Sequence, residues 1–139
     1  MKLVEAESKL RLVEREIEII FALFNNSIEF GDKDLDILLS ELSNLLSTKS
    51  KLTFAIDEAK IINKFDDSKT LKEAELLKKE LEDRAEINSS ILSLLAKKDS
   101  PISISVSEYY GNASRMRKLS IDIEEKLSLL KYTIEVNIV

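Results

Sequence analysis

From Leu3 onward the apolar residues return at alternating steps of three and four: Leu3, Ala6, Leu10, Val13, Ile17, Ile20 and Phe24. That spacing keeps one face of an α-helix apolar turn after turn and reads as a heptad seam. Little interrupts it, because the 139 residues include two Gly and one Pro. Those two residue types are the ones that most weaken or break a helix interior. Lys9, Glu14, Arg15 and Glu18 fall between the seam positions, as a solvated face requires. Ile19, Phe21 and Leu23 lie off the seam, so a single partner helix would leave them wet and a second apolar contact is implied. Asn25, Asn26, Ser27 and then Gly31 are expected to end this helix, which places it at about 2–25.

A second helix is expected at 33–65, with Asp32 or Asp34 as its cap. Its seam is Leu35, Leu38, Leu42, Leu45, Lys49, Leu52, Ile56, Ala59 and Asn63, and Leu39 and Leu46 form a parallel ridge. At ~1.5 Å per residue such a helix spans roughly 45–50 Å, so an elongated molecule is expected. Asp66-Asp67-Ser68-Lys69 reads as a turn, and Ser68 or Thr70 opens a third helix at 69–98. This helix carries Leu71, Ala74, Leu77, Leu81, Ala85, Ile91 and Leu95, and Lys97, Lys98 and Asp99 close it ahead of Pro101.

The period then changes. Ile102, Ile104 and Val106 alternate with serines as a strand does, and Tyr109-Tyr110-Gly111-Asn112 reads as a turn. Residues 99–111 are therefore expected to be a short strand-like connector. The last helix, at 112–134, carries Met116, Leu119, Ile123, Leu127, Leu130 and Ile134. Its end is open, because Ile134, Val136 and Ile138 also alternate at period two. Isolated short strands are marginal in water, so any strands here should pair across subunits or pack on the helices. The expected architecture is all-α, with long antiparallel helices of bundle or coiled-coil-hairpin type in one elongated domain over residues 1–139.

Composition excludes much chemistry. The chain has no His, Cys or Trp, and 26 acidic against 21 basic residues leave a formal charge of −5. Zinc fingers, Ser-His-Asp triads, thiol proteases and disulfide scaffolds all need residues that are absent. Net acidity disfavours nucleic acid, whose phosphates demand clustered positive charge. The longest apolar run, Ile19 to Phe24, falls far short of the about 20 residues of a membrane span. The start of the chain, Met1-Lys2-Leu3-Val4-Glu5-Ala6-Glu7, is charged throughout and lacks the apolar core of a secretory leader, so a cytoplasmic location is expected.

Three sets of polar residues are candidates for function. Glu80 with Asp83, Asp83 with Glu86, and Asp122 with Glu125 are each three apart and share a helix face. All-helical nucleotide pyrophosphohydrolases hold Mg²⁺ with paired carboxylates of that kind, and an enzyme using Glu80, Asp83 and Asp122 is the alternative reading. No Glu-x-x-Glu occurs in the chain, however, and Lys78, Lys79 and Arg84 lie among the pairs as on a salt-bridged surface. Arg115, Arg117 and Lys118 lie beside Tyr109 and Tyr110 and could form a phosphate-binding or partner-binding surface. Lys49, Asn63, Arg84 and Asn88 interrupt apolar seams. Such residues either reach solvent along their stems or pair inside the bundle and fix register and subunit number.

The chain as a whole resembles the septicolysin-like family of small helical proteins. The resemblance lies in Met1-Lys2-Leu3 with Glu5-Ala6, in Asp67-Ser68-Lys69-Thr70-Leu71 with Ala74, Lys78 and Leu81, and in Asn112, Met116, Ile123, Leu127, Leu130 and Ile134. The central stretch corresponds to the family's D-G-x-T-L turn and basic helix, and the last set to its capped terminal helix. Asp57-Glu58-Ala59-Lys60 departs from the family's Asn- and Thr-rich stretch. The resemblance implies a small helical fold, and the family name suggests a membrane-perturbing protein as a further alternative.

The expected function is that of a non-enzymatic structural or interaction protein, a helical homo-oligomer whose partner is itself or a second protein. It is expected to use no cofactor or metal and to engage neither nucleic acid nor membrane. Tyr109, Tyr110, Arg115 and Arg117 are the candidate interaction surface, and Lys49, Asn63, Arg84 and Asn88 the candidate register-setting residues. If that second role holds, Asn88→Leu keeps or raises stability while changing the subunit number, which light scattering measures directly.

Overall fold

The computed structural model describes residues 1–30, 35–97 and 106–138. Four helices are formed: α1 (Leu3–Phe30), α2 (Leu35–Ile62), α3 (Leu71–Lys97) and α4 (Val106–Lys131). The fold class is all-α, of the helical-bundle type. Contacts divide the chain into two compact units, Met1–Ile62 with Lys131–Val139, and Asn63–Leu130.

In the first unit α1 and α2 run antiparallel. Glu7 of α1 pairs with Lys60 of α2, and Glu14 with Lys49, so the partner number falls as the first number rises. The predicted seam is the buried face. Leu3, Ala6 and Val13 are buried on α1, and Leu52, Ile56 and Ala59 on α2, joined there by Ala55. The narrow alanine positions let the helix backbones come close, and Leu3 and Leu52 fill the space between them.

The α1 helix outruns its predicted end, continuing through Asn25-Asn26-Ser27 to Phe30. Asn and Ser are poor helix formers, but Ser27 is the next step of the seam after Phe24 and is buried, so packing overrides propensity. At the other end, Lys2 donates its N–H to Glu5 Oε2 at 3.3 Å, which supplies half of a capping box. The Leu3 N–H donates instead to the Ile134 carbonyl at 2.8 Å, and the Val136 N–H to the Met1 carbonyl at 2.8 Å. Ile134 and Val136 turn inward and are buried, while Glu135 faces out to Lys2 at 2.6 Å. The period-two pattern at the C-terminal end is thus an extended segment that α4, ending at Lys131, gives way to, three residues before the predicted end. It pairs with the first residues of the same chain, not across subunits, and it satisfies an α1 donor that would otherwise be orphaned.

In the second unit the turn is held by Asp66. Its Oδ1 accepts the N–H groups of Ser68 and Lys69, both at 2.8 Å, and the Ser68 hydroxyl at 2.9 Å. Thr70 caps α3 in a reciprocal box: its Oγ1 accepts the Glu73 N–H, and Glu73 Oε1 accepts the Thr70 N–H, each at 3.2 Å. Helices α3 and α4 are antiparallel, joined by Lys78 to Glu124 at 2.5 Å and by Asn88 Nδ2 donating to Met116 Sδ at 3.7 Å. Leu71, Ala74, Ala85, Ala113 and Leu127 are buried. Among the described residues, extended pairing amounts to two isolated antiparallel bridges, Lys2 with Glu135 and Lys64 with Thr70.

Two expectations for α4 are corrected. Tyr109-Tyr110-Gly111-Asn112 is helical, because Tyr109, Ala113, Met116, Ser120, Ile123, Leu127 and Leu130 form an unbroken three-four seam that starts before Asn112. Leu119, chosen for its apolarity, is exposed. Ser120 takes the inner position, with its hydroxyl donating to the Arg117 carbonyl at 3.0 Å. The caps predicted at Asp32 or Asp34, the terminator Gly31 and the segment from Lys98 through the alternation at Ile102 and Ile104 lie outside the described residues, and Val106, the last member of that alternation, is already helical.

Gly111 sits inside α4, and a Cβ added there meets no heavy atom within 4 Å. Gly111→Ala is therefore expected to raise stability by about 0.5–1 kcal/mol, because it removes backbone freedom from the unfolded chain without a clash. A thermal melt followed by circular dichroism checks this, and a fall in Tm would contradict the helical start at Val106.

Candidate functional site

The four surface candidates on α4 do not converge. Successive residues turn by about 100°, so Tyr109 falls on the inner face with Ala113 and Met116, and it is half-buried. Tyr110 and Arg117 are seven residues apart and share one exposed stripe. Arg117 donates to Ser89 Oγ of α3, beside an open groove of about 340 Å³ that Glu82, Glu86 and Ser93 also line. Arg115 projects from a different side and donates to Asn112 Oδ1 one turn back. Tyr110 with Arg117 therefore makes a small mixed patch, whereas Tyr109 belongs to the packing and Arg115 to its own helix.

The four polar seam residues also part company. Lys49 reaches across to Glu14 of α1 at 3.9 Å. Asn63 lies just beyond α2, where its carbonyl accepts the Leu71 N–H at 3.0 Å and so helps close the turn. Arg84 is exposed and donates through Nε and a terminal nitrogen to Glu80 Oε1, at 3.1 and 2.8 Å. Asn88 faces α4 and is part-buried against Met116.

The carboxylates proposed for Mg²⁺ are not gathered. Glu80 is occupied by Arg84, Asp83 and Asp122 are exposed, and no group of three or more acidic side chains forms a metal-sized cluster among the described residues.

A charged group that sequence reading passed over is the best-buried polar cluster in the first unit. Glu7 Oε1 lies 2.8 Å from Lys60 Nζ, and Glu7 Oε2 lies 3.2 Å from Lys131 Nζ. The three side chains are 16%, 11% and 17% exposed. Burial pushes the Glu7 carboxyl up, but hydrogen bonds and charge from Lys60 and then Lys131 outweigh it and hold it below the ordinary glutamate value. The cluster ties α1, α2 and the end of α4 together just where the extended C-terminal segment begins. One trace of it was legible: Glu7 and Glu14 are seven apart on one flank of the seam, and each meets an α2 lysine.

The apolar flanks are open. Leu12, Ile19 and Leu23 lie in one line along α1, Leu39 and Leu46 along α2, and all are exposed. An apolar groove of about 360 Å³ lies between these helices, lined by Ile19, Ile20 and Leu45 and rimmed by Glu16 and Glu41. No helix is long and apolar enough to cross a membrane among the described residues.

Fold and surface together define an all-α protein whose helices bury one narrow seam and expose further apolar ridges. A solved structure with this fold, a conserved protein of unknown function from Corynebacterium diphtheriae, superposes with a TM-score of 0.89 at 18% identity, over 99% of this chain and 99% of that one. At that identity the likeness establishes the fold. No protein-family model and no curated protein matches the sequence.

The Glu7 cluster makes stability depend on acid. A depressed carboxyl contributes stability above its unfolded value, and that contribution is lost as pH falls through the folded one. Glu7→Gln is expected to cost about 1–3 kcal/mol near neutral pH, as loss of a hydrogen-bonded charge does. The gap should close as the pH is lowered past the carboxylate range, where the native Glu7 is itself protonated. Paired denaturant titrations at neutral and acid pH measure the difference.

Proposed function

We propose that this protein is a non-enzymatic structural or interaction protein that assembles into a homo-oligomer and presents a rigid helical surface to itself or to a second protein. The observation that carries the reading is the alignment of large apolar side chains into ridges away from the buried seams: Leu12, Ile19 and Leu23 on α1, and Leu39 and Leu46 on α2. Single exposed leucines need no explanation, but rows of them along helices mark surfaces that gain by leaving water, at about 25 cal/mol per Å². The acidic clusters do not favour catalysis, since Glu80 is engaged by Arg84. Kinship with the septicolysin-like family belongs to this proposal and rests on the residues quoted from the sequence. So does a cytoplasmic setting without cofactor, membrane or nucleic acid.

Sedimentation equilibrium over a wide concentration range should give a mass above the 15.8 kDa of one chain. Leu39→Glu combined with Leu46→Glu should lower that mass and leave the helical circular dichroism spectrum unchanged, because about half of each side chain is open to solvent. A concentration-independent mass of one chain for the unaltered protein removes the reading.

A further inference from the structure

The outer face of α2 has a pattern that narrows the partner. Leu52 and Ile56 are buried in the seam, and Phe54, two residues on from Leu52, is turned to the opposite side of the helix. It is 72% exposed, the most exposed of the large apolar side chains among the described residues. It stands as a ridge between two hollows. One, of about 310 Å³, is lined by Lys51, Phe54, Ala55 and Glu58 with Asn137. The other, of about 500 Å³, is lined by Leu46, Thr53, Phe54 and Asp57.

Lys51 and Glu58 flank Phe54 on the same side, seven residues apart. That spacing is about 10.5 Å along the axis, too far for the two to pair within one helix. No ion pair among the described residues engages either of them. A basic group before an aromatic centre and an acidic group after it make the surface its own complement once it is reversed. If a second α2 is laid antiparallel, with a two-fold axis passing between Phe54 and Ala55, each Lys51 meets a Glu58 and the two phenyl rings lie side by side. A parallel arrangement would instead oppose like charges at both positions, which costs stability. A purely acidic or purely basic peptide would satisfy one of the two charges and repel the other.

We propose that this Phe54-centred face of α2 is a two-fold antiparallel interface with a second copy of the chain, in which Lys51 of each copy pairs with Glu58 of the partner subunit. The proposal rests on the homo-oligomer reading above and adds to it one contact of defined orientation on α2, beside the Leu39 and Leu46 ridge.

Charge reversal tests it. Lys51→Glu and Glu58→Lys should each weaken self-association roughly tenfold or more, since each opposes like charges twice. The double variant carrying both should recover association close to that of the unaltered protein. The Lys51→Glu chain mixed with the Glu58→Lys chain should form a heterodimer although neither self-associates well. Phe54→Ser should weaken association while leaving the helical circular dichroism spectrum in place. Unaltered association in the single variants, or no recovery in the double variant and the mixture, overturns this interface while leaving self-association standing. A mass of one chain for the unaltered protein at every concentration overturns the oligomer itself.

Discussion

Every long-range feature of this molecule follows from the burial of a narrow apolar seam between paired helices. The seam is lined largely by alanine and leucine: Ala6, Ala55, Ala59, Ala74, Ala85 and Ala113 let backbones approach, and Leu3, Leu52, Leu71 and Leu127 fill what remains. A seam this narrow cannot accommodate all the apolar residues of a chain that is 44% hydrophobic. The exposed ridges of α1 and α2 are therefore a consequence of the same packing that holds the hairpin together.

Ion pairs cross the helix pairs and tie down the ends. Glu7 with Lys60 and Glu14 with Lys49 pair α1 with α2 in antiparallel register, and Lys78 with Glu124 does the same for α3 and α4. The Glu124 carboxylate in turn pulls the Lys78 ammonium above its ordinary value, against the opposing effect of partial burial. Around Glu7, Lys131 brings the end of α4 to the α1–α2 pair, and the next residues continue as the segment that pairs with Met1 and Leu3. The first unit is thus completed by residues from both ends of the sequence, with Asn63–Leu130 inserted between them.

Much of this is legible in the sequence. The seams of α1 and α2 are those read from the three-four spacing, the Asp66 turn falls where it was expected, and Thr70 was one of two caps named for α3. The misreadings have specific causes. Asn25-Asn26-Ser27 and Tyr109-Tyr110-Gly111-Asn112 have turn-like local chemistry, but each continues a seam, and burial outweighs weak local preference. Leu119 is the more apolar of two neighbours, but strict three-four periodicity places Ser120 on the inner face. Tyr109, Tyr110, Arg115 and Arg117 are close in sequence, but a helix disperses neighbours around its circumference.

By itself the sequence determined that the chain would be helical, where most buried stripes would lie and which chemistries were impossible. All of these depend on spacing and composition, which are local properties. Only the tertiary structure decided that Ile134 and Val136 would pair with the beginning of the chain, and that Glu7, Lys60 and Lys131 would share one site. Those contacts join residues more than fifty positions apart, and their free energy exists only once the helices that carry them have packed.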